Sequence, residues 1–214
     1  MMFTGIVQKV ARVRSVHSKG SSSTLGVRLE DLHGDIQVGD SVMIDGVCLT
    51  ATHLNGDTWE FDVSSETLRR STLGNLHNNS RVNVELAMQP TDRFGGHFVS
   101  GHVDGTAQIR QLSDKPGEKR LIVKADSELT DQMIMKGSVA VDGISLTIAD
   151  LSSETFEVSL IPQTLETTTL SNKKVGDNVN VECDMIGKWI RKFTQSDHSD
   201  SEGLSMEQLK ENGY

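Results

Sequence analysis

The chain of 214 residues is poor in the residue types that mark several large classes of protein. It holds only two cysteines, Cys48 and Cys183. They do not occupy equivalent positions in the internal repeat described below and make no disulfide framework, which points to a reducing compartment. No stretch approaches the roughly 18 consecutive apolar residues that a membrane-spanning helix needs. The opening Met1, Met2, Phe3, Thr4 and Gly5 lack the charged and long apolar segments of a secretory signal. A soluble cytoplasmic protein is expected. No run of Lys or Arg stands out and the formal net charge is −9, which argues against a nucleic-acid partner. There is no Gly-x-Gly-x-x-Gly after a strand and no P-loop, so the usual dinucleotide and nucleotide cradles are absent. No Cys-x-x-Cys or His-x-x-x-His occurs, and His97 and His102 are spaced to fall on opposite faces of a strand, so no metal site is expected.

What the chain does have is a stretch used twice. Residues 41–50, Ser-Val-Met-Ile-Asp-Gly-Val-Cys-Leu-Thr, return at 138–147 as Ser-Val-Ala-Val-Asp-Gly-Ile-Ser-Leu-Thr. The register holds without a gap from 41–85 to 138–182, with about 18 identities over roughly 45 positions, the mark of a duplicated unit. Val82-Asn83-Val84-Glu85 recurs as Val179-Asn180-Val181-Glu182, and residues 4–7 fall more weakly opposite 100–103.

Within the first copy, short alternating runs at 5–16, 25–29, 41–44, 48–54, 58–63 and 81–86 predict strands. Asp45-Gly46 and Asn55-Gly56-Asp57 supply residues that tolerate positive φ in tight turns. About six evenly spaced strands per copy predict a small closed barrel, hence an all-β chain of two similar barrels. Residues 64–72 break the alternation and predict a helical turn capped by Ser64; in the second copy Pro162 suits a first helical turn. The expected division is 1–97 for the first barrel, 98–184 for the second, and 185–214 for a C-terminal helix and polar tail. Met185, Ile186, Trp189, Ile190 and Phe193 share one face of that helix, opposite Lys188, Arg191 and Lys192, with Asp184 as cap. The apolar face has two destinations, its own barrel or another subunit. Capping-box spacing at 205–208 predicts a short last helix.

Chemistry is expected where the copies differ. Cys48 stands opposite Ser145, and His102 opposite Ile6, so each half keeps a reactive group the other lacks. A lone cysteine is commonly an inert buried thiol, but here its counterpart is a hydroxyl, as at a polar contact point. Cys183 stands opposite Leu86 and reads as core. His102 is either a hydrogen-bonded structural histidine or a group beside a ligand, its flanking glycines allowing close approach. Thr50 and Thr147 share the strand faces of Cys48 and Ser145, through β-propensity or as pocket hydroxyls. Asp45 and Asp142 belong to turns.

The segments Met-Phe-Thr-Gly-Ile-Val at 2–7, Cys48-Leu49-Thr50, Gly-Gly-His-Phe-Val-Ser-Gly-His-Val-Asp-Gly at 95–105, Asp-Gly-Ile-Ser-Leu-Thr at 142–147 and Ile-Pro-Gln-Thr-Leu at 161–165 resemble the riboflavin synthases, over about residues 2–190. The resemblance implies two six-stranded Greek-key barrels and a C-terminal helix, typically in a homotrimer held by those helices. It implies dismutation of two molecules of 6,7-dimethyl-8-ribityllumazine into riboflavin and 5-amino-6-(D-ribitylamino)uracil by four-carbon transfer, with no metal or organic cofactor. Carried over by position, the first pocket comprises Gly5, Ile6, Val7, Ser41, Cys48, Leu49, Thr50, Asp62, Val63, Ser64, Ser65, Glu66 and Thr67. The second comprises Gly101, His102, Val103, Ser145, Leu146, Thr147, Ser159, Leu160, Ile161, Pro162, Gln163 and Thr164. Lys136 matches a lysine that reaches the ligand of an adjoining subunit. His102 is expected to assist proton movement with Asp184 as charge partner, and Cys48, Ser145 or Thr147 to supply or orient a transient nucleophile. Two alternatives differ in sequence. Lumazine proteins, non-catalytic relatives, typically depart in the Cys48 and Ser-Gly-His segments retained here. Flavin reductases on a related barrel use an Arg-x-Tyr-[Ser/Thr] motif, and the only tyrosine here is Tyr214.

Overall fold

The computed structural model describes residues 2–115 and 118–196. The first copy forms β1 (Lys9–Lys19), β2 (Ser22–Arg28), β3 (Ser41–Ile44), β4 (Val47–Asn55), β5 (Thr58–Val63), a short helix α1 (Ser65–Arg70) and β6 (Arg81–Leu86). The second forms β7 (Gly105–Lys115), β8 (Glu118–Lys124), α2 (Ser127–Thr130), β9 (Ser138–Val141), β10 (Ile144–Leu151), β11 (Thr155–Leu160), α3 (Pro162–Thr167) and β12 (Asn178–Cys183), and α4 (Met185–Ser196) follows. Each copy closes into an antiparallel barrel of order β1-β2-β5-β4-β3-β6 or its equivalent, a Greek-key path. The expected helix at 205–208 lies outside the described residues.

Local chemistry accounts for the tight connections. Asp45 and Gly46 both have positive φ (45° and 82°), as do Asp142 and Gly143 (46° and 78°), which two-residue hairpins with the right twist require. Ser64 Oγ accepts from Thr67 N at 3.1 Å to cap α1, and Pro162 opens α3. Strands β3, β5 and β6 have the bounds their alternation predicts, and β2 starts earlier, at Ser22. The strand expected from residue 5 does not begin until Lys9. Residues 3–7 instead leave their barrel: Phe3 bridges to Val99, and Val7 packs on the core of the second barrel.

Each barrel has its own apolar core, Val13, Val27, Ile44 and Phe61 in one, Ile109, Leu121, Ile148 and Phe156 in the other. A smaller cluster joins them: Phe3, Met43, Val99 and Ala140, two pairs of equivalent positions. Strands β6 and β12 are buried on both faces, over 82–85 and 179–183, because they lie at this seam. There the asparagines cross. Asn83 Nδ2 donates to Asp142 O at 2.9 Å, and Asn180 Nδ2 to Asp45 O at 2.7 Å. Asn83 Oδ1 accepts from Thr169 N at 2.8 Å and Asn180 Oδ1 from Thr72 N at 2.7 Å. The two Asp-Gly turns abut so closely that a Cβ on Gly46 would stand 2.7 Å from Gly143 N.

Helix α4 is rooted on the second barrel by Lys188, whose Nζ lies 2.7 and 2.6 Å from the Asp104 carboxylate oxygens. Asp184 Oδ1 caps it by accepting from Ile186 N at 3.0 Å. Ile186, Trp189, Ile190 and Phe193 remain 54–63 % exposed, so the apolar stripe does not pack on its own barrel. Among the described residues no helix is long and apolar enough to cross a membrane.

Candidate active site

In β4 and β10 the buried-exposed alternation turns Cys48 and Thr50, and equally Ser145 and Thr147, to the outside of their barrels. What covers them comes from the other copy. Cys48 N donates to Gly101 O, and Ser145 N to Gly5 O, both at 2.8 Å. The approach requires glycine: a Cβ on Gly101 would lie 2.5 Å from Cys48 Cβ, and one on Gly5 would lie 2.7 Å from Ser145 Cβ. The pocket grouping carried over from the family is therefore corrected. Gly101, His102 and Val103 line the Cys48 pocket, while Gly5, Ile6 and Val7 belong with Ser145.

The first pocket, a recess of about 150 Å³, is lined by Cys48, Glu66, Thr67, Gly101, His102 and Val103. Asp62 is steadied by Thr24 Oγ1 at 3.0 Å. Burial pushes the Cys48 thiol up, and hydrogen bonding to Ser41 opposes this. Cys48 is thus a neutral thiol near pH 7, which suits a contact group better than a thiolate nucleophile. Ser64 and Ser65 start α1 at the pocket rim.

At the equivalent position, Ser145, the sequence leaves one neighbour unread. His97, in the Gly-rich connection between the copies, is 7 % exposed, and its Nδ1 lies 2.7 Å from Ser145 Oγ. Its Nε2 has no hydrogen-bond partner among the described residues. Gly96 makes this possible, since a Cβ there would stand 2.1 Å from Thr4 O and 2.9 Å from Ser145 Cβ. Burial lowers the His97 pKa, and the charge of Asp184 raises it in part. Asp184, expected beside His102, thus acts on His97. No signal in the sequence places His97 against a strand, because the crowding at Gly96 appears only in the fold.

Other expected residues divide by direction. Leu49 and Val63 turn into the first core, and Leu146 and Leu160 into the second, which leaves them backbone atoms to offer a ligand. Ile161, Pro162 and Gln163 are exposed at the start of α3, with Ser159 and Thr164 half-buried beside them. Lys136 is exposed and adopts φ 65° where the first copy has Gly39 at 97°, a left-handed conformation unusual for lysine. A recess of about 590 Å³ lies elsewhere, at the seam beside Asp45, Arg81 and Lys173, and touches none of these residues. Among the described residues no three His, Cys, Asp or Glu are grouped to hold a metal ion.

Two barrels of one design, each with an outward-facing strand position met by a glycine segment of the other copy, define a duplicated β-barrel protein. The lumazine binding domain family matches residues 4–87 and again 100–184. Riboflavin synthase of Actinobacillus pleuropneumoniae is 40% identical over 215 residues, covering 100% of both chains, and that of Bacillus subtilis (strain 168) is equally similar, at 40% over 215 residues. Riboflavin synthase of Escherichia coli (strain K12) is 42% identical over 185 residues, 86% of this chain and 87% of that protein. Crystal structures of LumP with 6,7-dimethyl-8-(1'-D-ribityl) lumazine and with riboflavin superpose with TM-scores of 0.77 and 0.78. Their identities of 21% and 22%, over 85% of this chain and 98% and 99% of those chains, speak for the fold. The chain belongs to the riboflavin synthase family.

Proposed function

We propose that the chain dismutates two molecules of 6,7-dimethyl-8-ribityllumazine, one in each pocket, into riboflavin and 5-amino-6-(D-ribitylamino)uracil. The enzyme is a transferase of a four-carbon unit, and its two products contain every atom of its two substrates. The observation that carries the two-pocket reading is a frame built twice and furnished differently. A strand N–H meets a glycine carbonyl in both, yet one frame holds Cys48 and His102 and the other Ser145 and His97. Like frames suit like ligands, and unlike furnishing suits unlike roles. Holding both ligands converts an encounter in solution into a step between fixed neighbours. Purified protein given the lumazine should form one riboflavin for every two substrates consumed, read by absorbance. Tight binding without riboflavin would make the protein a carrier instead.

The chemistry asks one substrate to lose a proton from its C7 methyl and the other to accept a nucleophile at C7. His97, kept neutral by burial and joined to Ser145 Oγ, suits the proton-accepting role, with Asp184 stabilising the imidazolium that results. His102 and Thr147 bound their pockets as donors. His97→Gln is expected to lower kcat by about 100-fold with little change in KM. In the parent, kcat should fall as pH drops through a His97 pKa below the ordinary histidine range, and the variant should lose that limb. Cys48→Ser is expected to keep most of the turnover, because the neutral thiol acts as a contact. A loss in Cys48→Ser as large as in His97→Gln would restore the thiol to the mechanism.

The bare stripe of α4 supports a homotrimer in which the first-barrel pocket of one subunit faces the second-barrel pocket of the next, with Lys136 reaching across. Trp189 and Phe193 stack at 6.0 Å on that stripe and form its centre. Trp189→Glu is expected to give single chains by light scattering and to abolish riboflavin formation, with each barrel still folded. Two cysteines that form no disulfide fit a cytoplasmic setting.

A further inference from the structure

The Val-Asn-Val-Glu sequence that closes each copy ends in a buried charge. Glu85 and Glu182 are 2 % and 3 % exposed. Burying a carboxylate is costly unless hydrogen bonds replace its water. Here they do, in the same way twice. Glu85 Oε1 accepts from Thr4 N and Oγ1 at 2.6 and 2.7 Å, and Oε2 accepts from Gly5 N at 3.0 Å. Glu182 Oε1 accepts from Ser100 N and Oγ, both at 2.7 Å, and Oε2 accepts from Gly101 N at 2.9 Å.

Every one of these donors lies in a segment that leaves its own barrel. Gly101, held by Glu182 of the second barrel, gives its carbonyl to Cys48 N in the first. Gly5, held by Glu85 of the first barrel, gives its carbonyl to Ser145 N in the second. The bonds run on: His102 N donates to Ser100 Oγ and Ile6 N to Thr4 Oγ1, each at 3.2 Å. Val103 then packs on the first core and Val7 on the second. The charge of Glu182 is also felt at the Cys48 thiol, which it helps to raise after burial.

We propose that Glu85 and Glu182 are crossed positioning residues: the carboxylate of each barrel sets the lining of the ligand pocket on the other barrel, without touching the ligand. The inference deepens the two-pocket reading and rests on it. A carboxylate is needed because it only accepts, on both oxygens. Glutamine has the same size but offers an N–H to donors that already point at it, so the roof segment must shift.

The test uses full-length Glu182→Gln and Glu85→Gln chains with two readouts. One is the number of riboflavin molecules bound per chain by equilibrium dialysis. The other is the rate at which iodoacetamide alkylates Cys48; Cys183 is buried with its thiol pushed up to about 12 and stays silent. The expected result is two riboflavins per parent chain and one per variant, with a several-fold change of the alkylation rate in Glu182→Gln and none in Glu85→Gln. Equal weakening of both sites by each variant, or an equal response of Cys48 to both, would overturn the inference, since a purely structural role predicts no such selectivity. A parent chain that binds one riboflavin would defeat the two-pocket reading, and the alkylation rates would still decide the crossed positioning. Should Glu182→Gln fail to fold, Ser100→Ala and Thr4→Val each delete one donor per clamp and carry the same crossed expectation.

Discussion

Gly101→Ala should abolish riboflavin formation and destabilise the chain by about 3 kcal/mol or more. Two costs combine. Gly101 has φ +78°, which for an L-residue costs roughly 1–2 kcal/mol on its own. The added Cβ would also meet Cys48 Cβ at 2.5 Å and Cys48 N at 2.8 Å. Backbone stands behind that contact, so no rotamer relieves it, and the Gly101 O to Cys48 N bond must break. His102 and Val103 then leave the first pocket together. Gly39→Ala separates the two costs. Its φ is +97°, but a Cβ there meets nothing within 4 Å, and Lys136 already shows that an L-residue can take the equivalent turn. That chain should lose about 1 kcal/mol and keep its turnover. Urea titration and the absorbance assay measure both variants. Native stability and turnover in Gly101→Ala would mean that the two copies do not approach as described.

The duplication, the hairpins and the helical caps were legible because they depend on neighbours in the chain. Asp-Gly at 45–46 and 142–143 demands positive φ wherever it closes a hairpin, and Ser64 caps whatever helix follows it. That Cys48 and Thr50 share one strand face followed from the two-residue period of a strand. What roofs them did not. Cys48 and Gly101 are far apart in sequence, and no periodicity encodes a bond between segments from different copies. Carrying the pockets over from the family resemblance even misled, because it grouped each segment with the barrel that follows it in the chain. His97 was passed over for a related reason: in a Gly-rich connection nothing local distinguishes a buried histidine from a solvated one. One signal was present and unused. Glu85 and Glu182 close runs of Val-Asn-Val, and a charge so embedded implies donors brought from elsewhere.

Lys173→Leu, which copies Leu76 of the first half, should cost about 3–5 kcal/mol at pH 8 and much less at pH 5. The reason lies at the seam. Asp45 and Asp142 are both buried there, with Oδ1 of each accepting from Asn83 N or Asn180 N at 2.7 Å. Lys173 is the counter-ion of Asp142: its Nζ lies 2.8 Å from Asp142 Oδ2 and donates to Asn178 O at 3.1 Å. Burial would lower the Lys173 pKa, but Asp142, Asp45 and Asp177 more than offset it and hold the ammonium charged. Burial, and then the charge of Asp142, push Asp45 up to about 8, so it keeps its proton at neutral pH. A folded pKa above the unfolded value means stability that is complete in acid and is lost as pH rises toward 8. The parent should therefore weaken steadily from about pH 5 to pH 8. Asp45→Asn, which imitates the protonated acid, should flatten that slope and match or exceed the parent at pH 8. Without Lys173 the Asp142 carboxyl must also bind a proton, so the slope steepens, and adding Asp142→Asn to Lys173→Leu should recover most of the loss. Denaturant midpoints across the pH range decide the matter: a Lys173→Leu penalty independent of pH would show that the lysine acts through packing and not as the counter-ion of the buried Asp142.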